Sequence, residues 1–94
     1  MIVSAQIRAG RALIRWSAED LAQHAHVAVA LIHRAEAADG TPPIAADEVQ
    51  SLRRALERGG VHFLDPHLEG PGVRLTRPAQ RPKEPNFVSD GNEG

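Results

Sequence analysis

No cysteine occurs among the 94 residues, so neither a disulfide nor a thiolate metal site can staple the fold. That absence suits a reducing cytoplasm. Aromatic residues are scarce as well, with one Trp, two Phe and no Tyr. A core must therefore be assembled from Leu, Ile, Val and many Ala, which favours closely packed short helices. No apolar run is long enough to cross a bilayer, and no apolar segment follows Met1 in the manner of a secretory leader. A basic excess is missing too: eleven Lys and Arg stand against twelve Asp and Glu, for a formal net charge of −1. The overall balance therefore does not carry the positive footprint that attracts nucleic-acid phosphates. At this length the chain forms one small domain whose single core is only just adequate.

What the sequence does contain is concentrated between Trp16 and Glu36, WSAEDLAQHAHVAVALIHRAE. Ser17 followed three residues later by Asp20 has the spacing of a helix capping box. Leu21 and Ala22 supply an apolar face, and Ala25-His26-Val27 breaks the first helix before a second that carries Ile32 inward. Two short helices joined by so tight a turn form a helix-turn-helix unit, whose second helix is suited to a DNA groove.

The stretch R-x-x-x-x-W-S-x-E-D-L-A-x-x-A-x-V-x-x-x-x-I-x-R-x-E, from Arg11 to Glu36, resembles the Cro/C1-type (XRE) helix-turn-helix of phage repressors and small bacterial regulators. A looser likeness continues through LRRALERGGVHFLD and GPGVRL, to about residue 77. The resemblance implies a mainly α, four-to-five-helix Cro/C1-like domain with a short C-terminal β element. It implies a sequence-specific DNA-binding transcriptional regulator that acts as a homodimer on double-stranded DNA in the cytoplasm. Its site residues map onto Ser17, Ala28, Val29, Ala30, His33 and Arg34, and a structural ion pair onto Arg11 and Glu36. In that role Arg34 pairs with guanine or holds a phosphate, His33 donates to a base or phosphate, and Val29 and Ala30 meet thymine methyls. Two positions depart from the family pattern. Ala18 stands where a Gln is frequent, and His26 replaces the turn Gly, although His tolerates positive φ better than most residues.

Outside that unit, Val3, Ile7, Gly10 and Ile14, with Leu13 beside them, predict a first helix over about 4–15. Gly10 marks a close approach of another helix. The next helices are expected over 18–25 and 28–38, with Gly40 as a C-cap signal and Pro42-Pro43 forbidding further helix. Asp47 with Gln50 opens a fourth, with Val49, Leu52 and Leu56 inward and Gly59-Gly60 ending it. Together residues 1–60 make the DNA-binding domain. Residues 61–77 form a β extension, in which Val61–Leu64 and Val73–Thr76 read as a hairpin with a long loop or as two edge strands. That extension is expected to pair subunits, with Phe63 as apolar anchor and the helical part folding without it. Residues 78–94, rich in Pro, Gly and charge, read as a disordered tail.

Other chemistries find little purchase. Among the five histidines, His24-x-His26 straddles a helix end and no Cys is available, so no metal site is expected. Ser17 and Ser51 serve a cap and a helix surface, no Ser/His/Asp set is spaced for catalysis, and GPGV lacks the Lys-Ser/Thr of a P-loop. Neither an enzyme nor a cofactor is expected. The second reading is a protein-binding adaptor or antitoxin-like partner of the same fold. It would dock its partner through Val29-Ala30-Leu31 or through Asn86-Phe87-Val88 in the tail.

Overall fold

In the computed structural model, which describes residues 2–76, the apolar faces of four helices and one hairpin close on a single core. The elements run α1 (Ser4–Leu13), α2 (Ala18–Ala25), α3 (Val29–Glu36), α4 (Ala46–Arg58), β1 (Val61–Leu64), the single-turn α5 (Pro66–Glu69) and β2 (Gly72–Leu75). The fold is thus mainly helical with one small antiparallel sheet. Leu21 and Ala22 of α2 meet Leu31, Ile32 and Ala35 of α3, and Val49, Leu52, Ala55 and Leu56 of α4 complete the helical side. Ile7 of α1 is fully buried among them. The expectations for residues 77–94 lie outside the described residues.

Several boundaries differ from the sequence expectation, each for a local reason. The first helix ends at Leu13 rather than Arg15, because Arg15 adopts φ +60° and Trp16 N–H reaches back to the Arg11 carbonyl at 2.9 Å. This six-to-one bond is a left-handed C-cap, normally the province of glycine. Leu13 lies 37% exposed instead of joining the core stripe. The third helix ends at Glu36 rather than Ala38, where α1 side chains take over its last carbonyls: Ser4 Oγ donates to Ala35 O at 2.6 Å, and Arg8 Nη1 donates to Glu36 O. The fourth helix opens on Glu48 and not on the Asp47/Gln50 pair, since Glu48 Oε1 accepts from Ala45 N–H at 2.9 Å.

The two β runs form one hairpin, with Val61 opposite Leu75 and Phe63 opposite Val73. Its inner face carries Val61 and Phe63, only 1% and 6% exposed within one chain. The expectation of Phe63 as a dimer anchor is therefore corrected: its ring is already spent on this core, with the Arg53 guanidinium 5.7 Å from its centroid. The extension shares the core of the helices, against the expectation that they fold without it. Removing residues 61 onward would strip two core side chains and leave the buried Gln6 amide without its acceptors. Gln6 Nε2 donates to Leu64 O and Gly72 O, both at 3.0 Å, while its Oε1 accepts from Val3 N–H.

Two glycines mark close approaches of opposite tolerance. A Cβ on Gly10 would meet Leu56 and Val61 at ordinary contact, 3.4 and 3.5 Å, so the expected close approach is real but leaves room for a methyl. A Cβ on Gly59 would lie 2.8 Å from Ile14 and 2.9 Å from the Trp16 ring. Gly10→Ala is therefore expected to stabilise the domain by up to about 1 kcal/mol through helix propensity. Gly59→Ala is expected to cost about 1–3 kcal/mol by overpacking. Denaturant melts of both variants check the pair, and equal signs would contradict this packing.

Candidate nucleic-acid interface

Local chemistry sets the geometry of the α2–turn–α3 unit from its first residue. Ser17 sits in extended backbone, its Oγ accepting from Asp20 N–H at 3.0 Å while Asp20 Oδ2 accepts from Ser17 N–H at 2.9 Å. The capping box expected from the spacing is present, and it starts α2 at Ala18. The Ser17 amide, and after it the Ser17 hydroxyl beside the carboxyl, hold Asp20 below its ordinary value of 3.8. Ala18 is packed into the core at 8% exposure and presents nothing outward. At the other end His26 takes the left-handed conformation, φ 60° and ψ 45°, while Val27 N–H bonds Ala22 O at 3.0 Å. A histidine thus holds a turn conformation that favours glycine.

The turn delivers Ala28 as the extended residue before α3. Because Leu31, Ile32 and Ala35 face the core, the helical period leaves Ala30, His33, Arg34 and Ala37 on the opposite, exposed face. Ala28 is exposed with them and Val29 is half-buried. Of the residues assigned from sequence, Ala28, Ala30, His33 and Arg34 therefore share one solvent-facing strip, Val29 borders it, and Ser17 lies apart at the head of α2. Among the described residues, neither His33 nor Arg34 is held by a hydrogen bond or an ion pair. The docking patch Val29-Ala30-Leu31 is corrected, since Leu31 is 6% exposed and points away from Ala30. Adjacent helical residues lie about 100° apart, so three in a row cannot form one face.

Arg11 locks this helix to the scaffold. Its Nε donates to Glu36 Oε2 at 2.6 Å and its Nη2 to Glu36 Oε1 at 2.8 Å, a two-pronged pair with the Glu36 side chain only 9% exposed. The third prong, Nη1, donates to Trp16 O at 3.0 Å. The bond to Glu36 raises the Arg11 pKa against the opposing effect of burial. One guanidinium thereby ties together the end of α1, the α1–α2 turn and the last turn of α3.

Sequence reasoning missed the reinforcement around that lock. The Trp16 and His24 rings stack 4.1 Å apart at 15°, with His24 Nδ1 2.8 Å from Asp20 O. Arg58 Nη2 donates to His24 O at 3.0 Å, tying α4 to the end of α2. A histidine eight residues after a Trp was the one available signal. Among the described residues no three His, Asp or Glu side chains gather as a metal site, and no helix is long and apolar enough to cross a membrane. Compared with known proteins, the chain matches no family model, no curated protein and no solved structure.

Two outcomes follow from the cap and the lock. Truncating either Arg11 or Glu36 strands a poorly solvated partner, so Arg11→Ala and Glu36→Gln should each cost about 2–4 kcal/mol, between exposed and fully buried pairs. A double-mutant cycle reads the coupling, and additive losses would mean the pair is idle. Asp20 gives a pH signature. Its folded pKa is depressed, so its contribution is present above the unfolded value and lost as pH falls through the folded value, below 3.8. Ser17→Ala should move the Asp20 NMR titration midpoint upward and cost about 1 kcal/mol at neutral pH. An unmoved midpoint would dissociate the carboxylate from the cap.

Proposed function

We propose that this chain is a Cro/C1-like, sequence-specific DNA-binding transcriptional regulator that lays α3 in the major groove. The observation that carries this reading is the α3 strip itself: Ala30, His33 and Arg34 face solvent together, unengaged, on a helix locked from behind by Arg11. A reading head needs polar groups free to meet base edges and a backbone rigid enough to aim them. The strip is also nearly free of bulk, with Ala28, Ala30 and Ala37 around the two polar side chains, so the helix backbone can approach the groove closely. Arg34 would take guanine O6/N7 or a phosphate, His33 a base or phosphate acceptor, and the Val29–Ala30 edge thymine methyls. Ser17, exposed at the head of α2, would hold a phosphate there.

One such helix spans few base pairs, so useful affinity calls for a homodimer on a near-palindromic site in cytoplasmic DNA. With Phe63 committed to the core, the outer surface of the extension is the dimer contact that this reading favours. Leu68 of α5 lies there 78% exposed, well above Leu13, the other large apolar side chain exposed among the described residues.

Selection from random duplexes should return a site with a guanine whose identity depends on Arg34. Arg34→Ala should then weaken specific binding by about 1–3 kcal/mol and relax preference at that one position. A uniform loss over all sequences would reassign Arg34 to phosphate. Absence of duplex binding even at low salt would instead favour the protein-binding adaptor.

A further inference from the structure

Residues 2–76 hold eight arginines and no lysine, and four of the arginines are engaged in the fold. Arg11 pairs with Glu36 and Arg53 with Glu57, while Arg8 and Arg58 donate to the carbonyls of Glu36 and His24. The other four, Arg15, Arg34, Arg54 and Arg74, are exposed. Among the described residues none of their side chains is held by a hydrogen bond or an ion pair. Their places in the fold separate them. The helix α3 packs chiefly against α1 and α2, whereas Arg54 lies on α4 and Arg74 on β2. Arg34 is on α3 itself, and Arg15 sits in the turn that joins α1 to α2. One guanidinium ties that turn to α3: Arg11 Nη1 donates to Trp16 O at 3.0 Å while Nη2 donates to Glu36 Oε1 at 2.8 Å. Arg15 therefore precedes a residue fixed beside the last turn of α3, the turn that carries Arg34.

The backbone at Arg15 sets it apart from the other three. Its φ of +60° is left-handed, and it follows the C-cap Ile14 at the position where glycine carries the least strain. The turn is shaped by its neighbours: Trp16 N–H bonds Arg11 O at 2.9 Å, and the Trp16 ring packs where Gly59 has no side chain. Arg15 adds only its backbone N–H, which reaches Ala12 O at 3.2 Å. An arginine thus stands in glycine's conformation while its guanidinium makes no bond within the fold. Residues held in such backbone cluster at binding sites. Two positions on is Ser17, exposed at the head of α2 and assigned above to a phosphate. A guanidinium beside it matches phosphate in charge and in its paired donors.

We propose that Arg15 grips a backbone phosphate of duplex DNA beside the groove that α3 enters, a sequence-independent contact next to the base-reading Arg34. This inference rests on the DNA-binding reading above. The test joins thermal melts to a salt series of the full-length chain binding a random-sequence duplex, followed by fluorescence anisotropy. Each phosphate-neutralising cation contributes about 0.9 to the slope of log K against log salt. R15G should therefore lower the slope by about 0.9 and weaken low-salt binding about 10-fold, equally for all sequences. The same variant relieves the left-handed backbone, so its thermal midpoint should rise by about 2–4 °C. Stability and affinity then move in opposite directions, which a merely structural arginine would not produce. R15K, which keeps the charge, should retain the slope. An unchanged slope in R15G, a lost slope in R15K, or a lowered midpoint in R15G overturns the contact while leaving α3 as a reader. No binding by the unaltered chain at low salt overturns both.

Discussion

The Arg11–Glu36 pair is the interaction on which the rest of the arrangement depends. Three of the five guanidinium donors are used, and they reach three acceptors in two places: the last turn of α3 through two carboxylate oxygens and the α1–α2 turn through the Trp16 carbonyl. A lysine could supply the charge but not this planar fork. Glu36 lies at the C-terminal end of α3, where the macrodipole disfavours a carboxylate, so the guanidinium beside it offsets a placement that is otherwise unfavourable. Ser4 and Arg8 work at the same helix end by satisfying the carbonyls of Ala35 and Glu36. The first helix is thus a clamp for the third.

Around that clamp the two sharp reversals flanking α2 are made without glycine. Arg15 and His26 both take φ near +60°, a conformation disfavoured for residues bearing a Cβ. Both sit where a six-to-one backbone bond closes the preceding helix, and their neighbours are anchored: Trp16 on Gly59 and His24, Val27 against the core. Packing of the neighbours over-determines the turn, which is how such backbone persists. The glycine that makes the packing possible lies elsewhere, at Gly59, where absence of a side chain admits the indole.

Charge is arranged by role more than by amount. Carboxylates open α2 and α4, where they cap amides and suit the helix dipole. Three arginines, Arg8, Arg11 and Arg58, are spent on carbonyls and a carboxylate that join one element to another. The outer face of α3 carries one arginine, Arg34, and is sparse but unencumbered.

The periodicity of Leu21, Ala22, Ile32, Val49, Leu52 and Leu56 was enough to place three helices and their inward faces, because burial of an amphipathic stripe follows from spacing alone. Ser17 with Asp20 likewise announced a cap, since both partners lie within one turn. Ala30, His33 and Arg34 were assigned through a likeness to a known family, and the helical period that leaves them exposed is also what turns Leu31 away from Val29 and Ala30. The pairing of Arg11 with Glu36 came through a likeness to a known family, not from the residues, for nothing local links side chains 25 positions apart. What only the tertiary structure decided shares that non-local character: where α1 and α3 stop, why Phe63 is core rather than contact, and how Gln6 stitches the hairpin to α1. Each depends on which distant surface arrives to satisfy a carbonyl or cover a ring, and that is set by how all the helices pack at once.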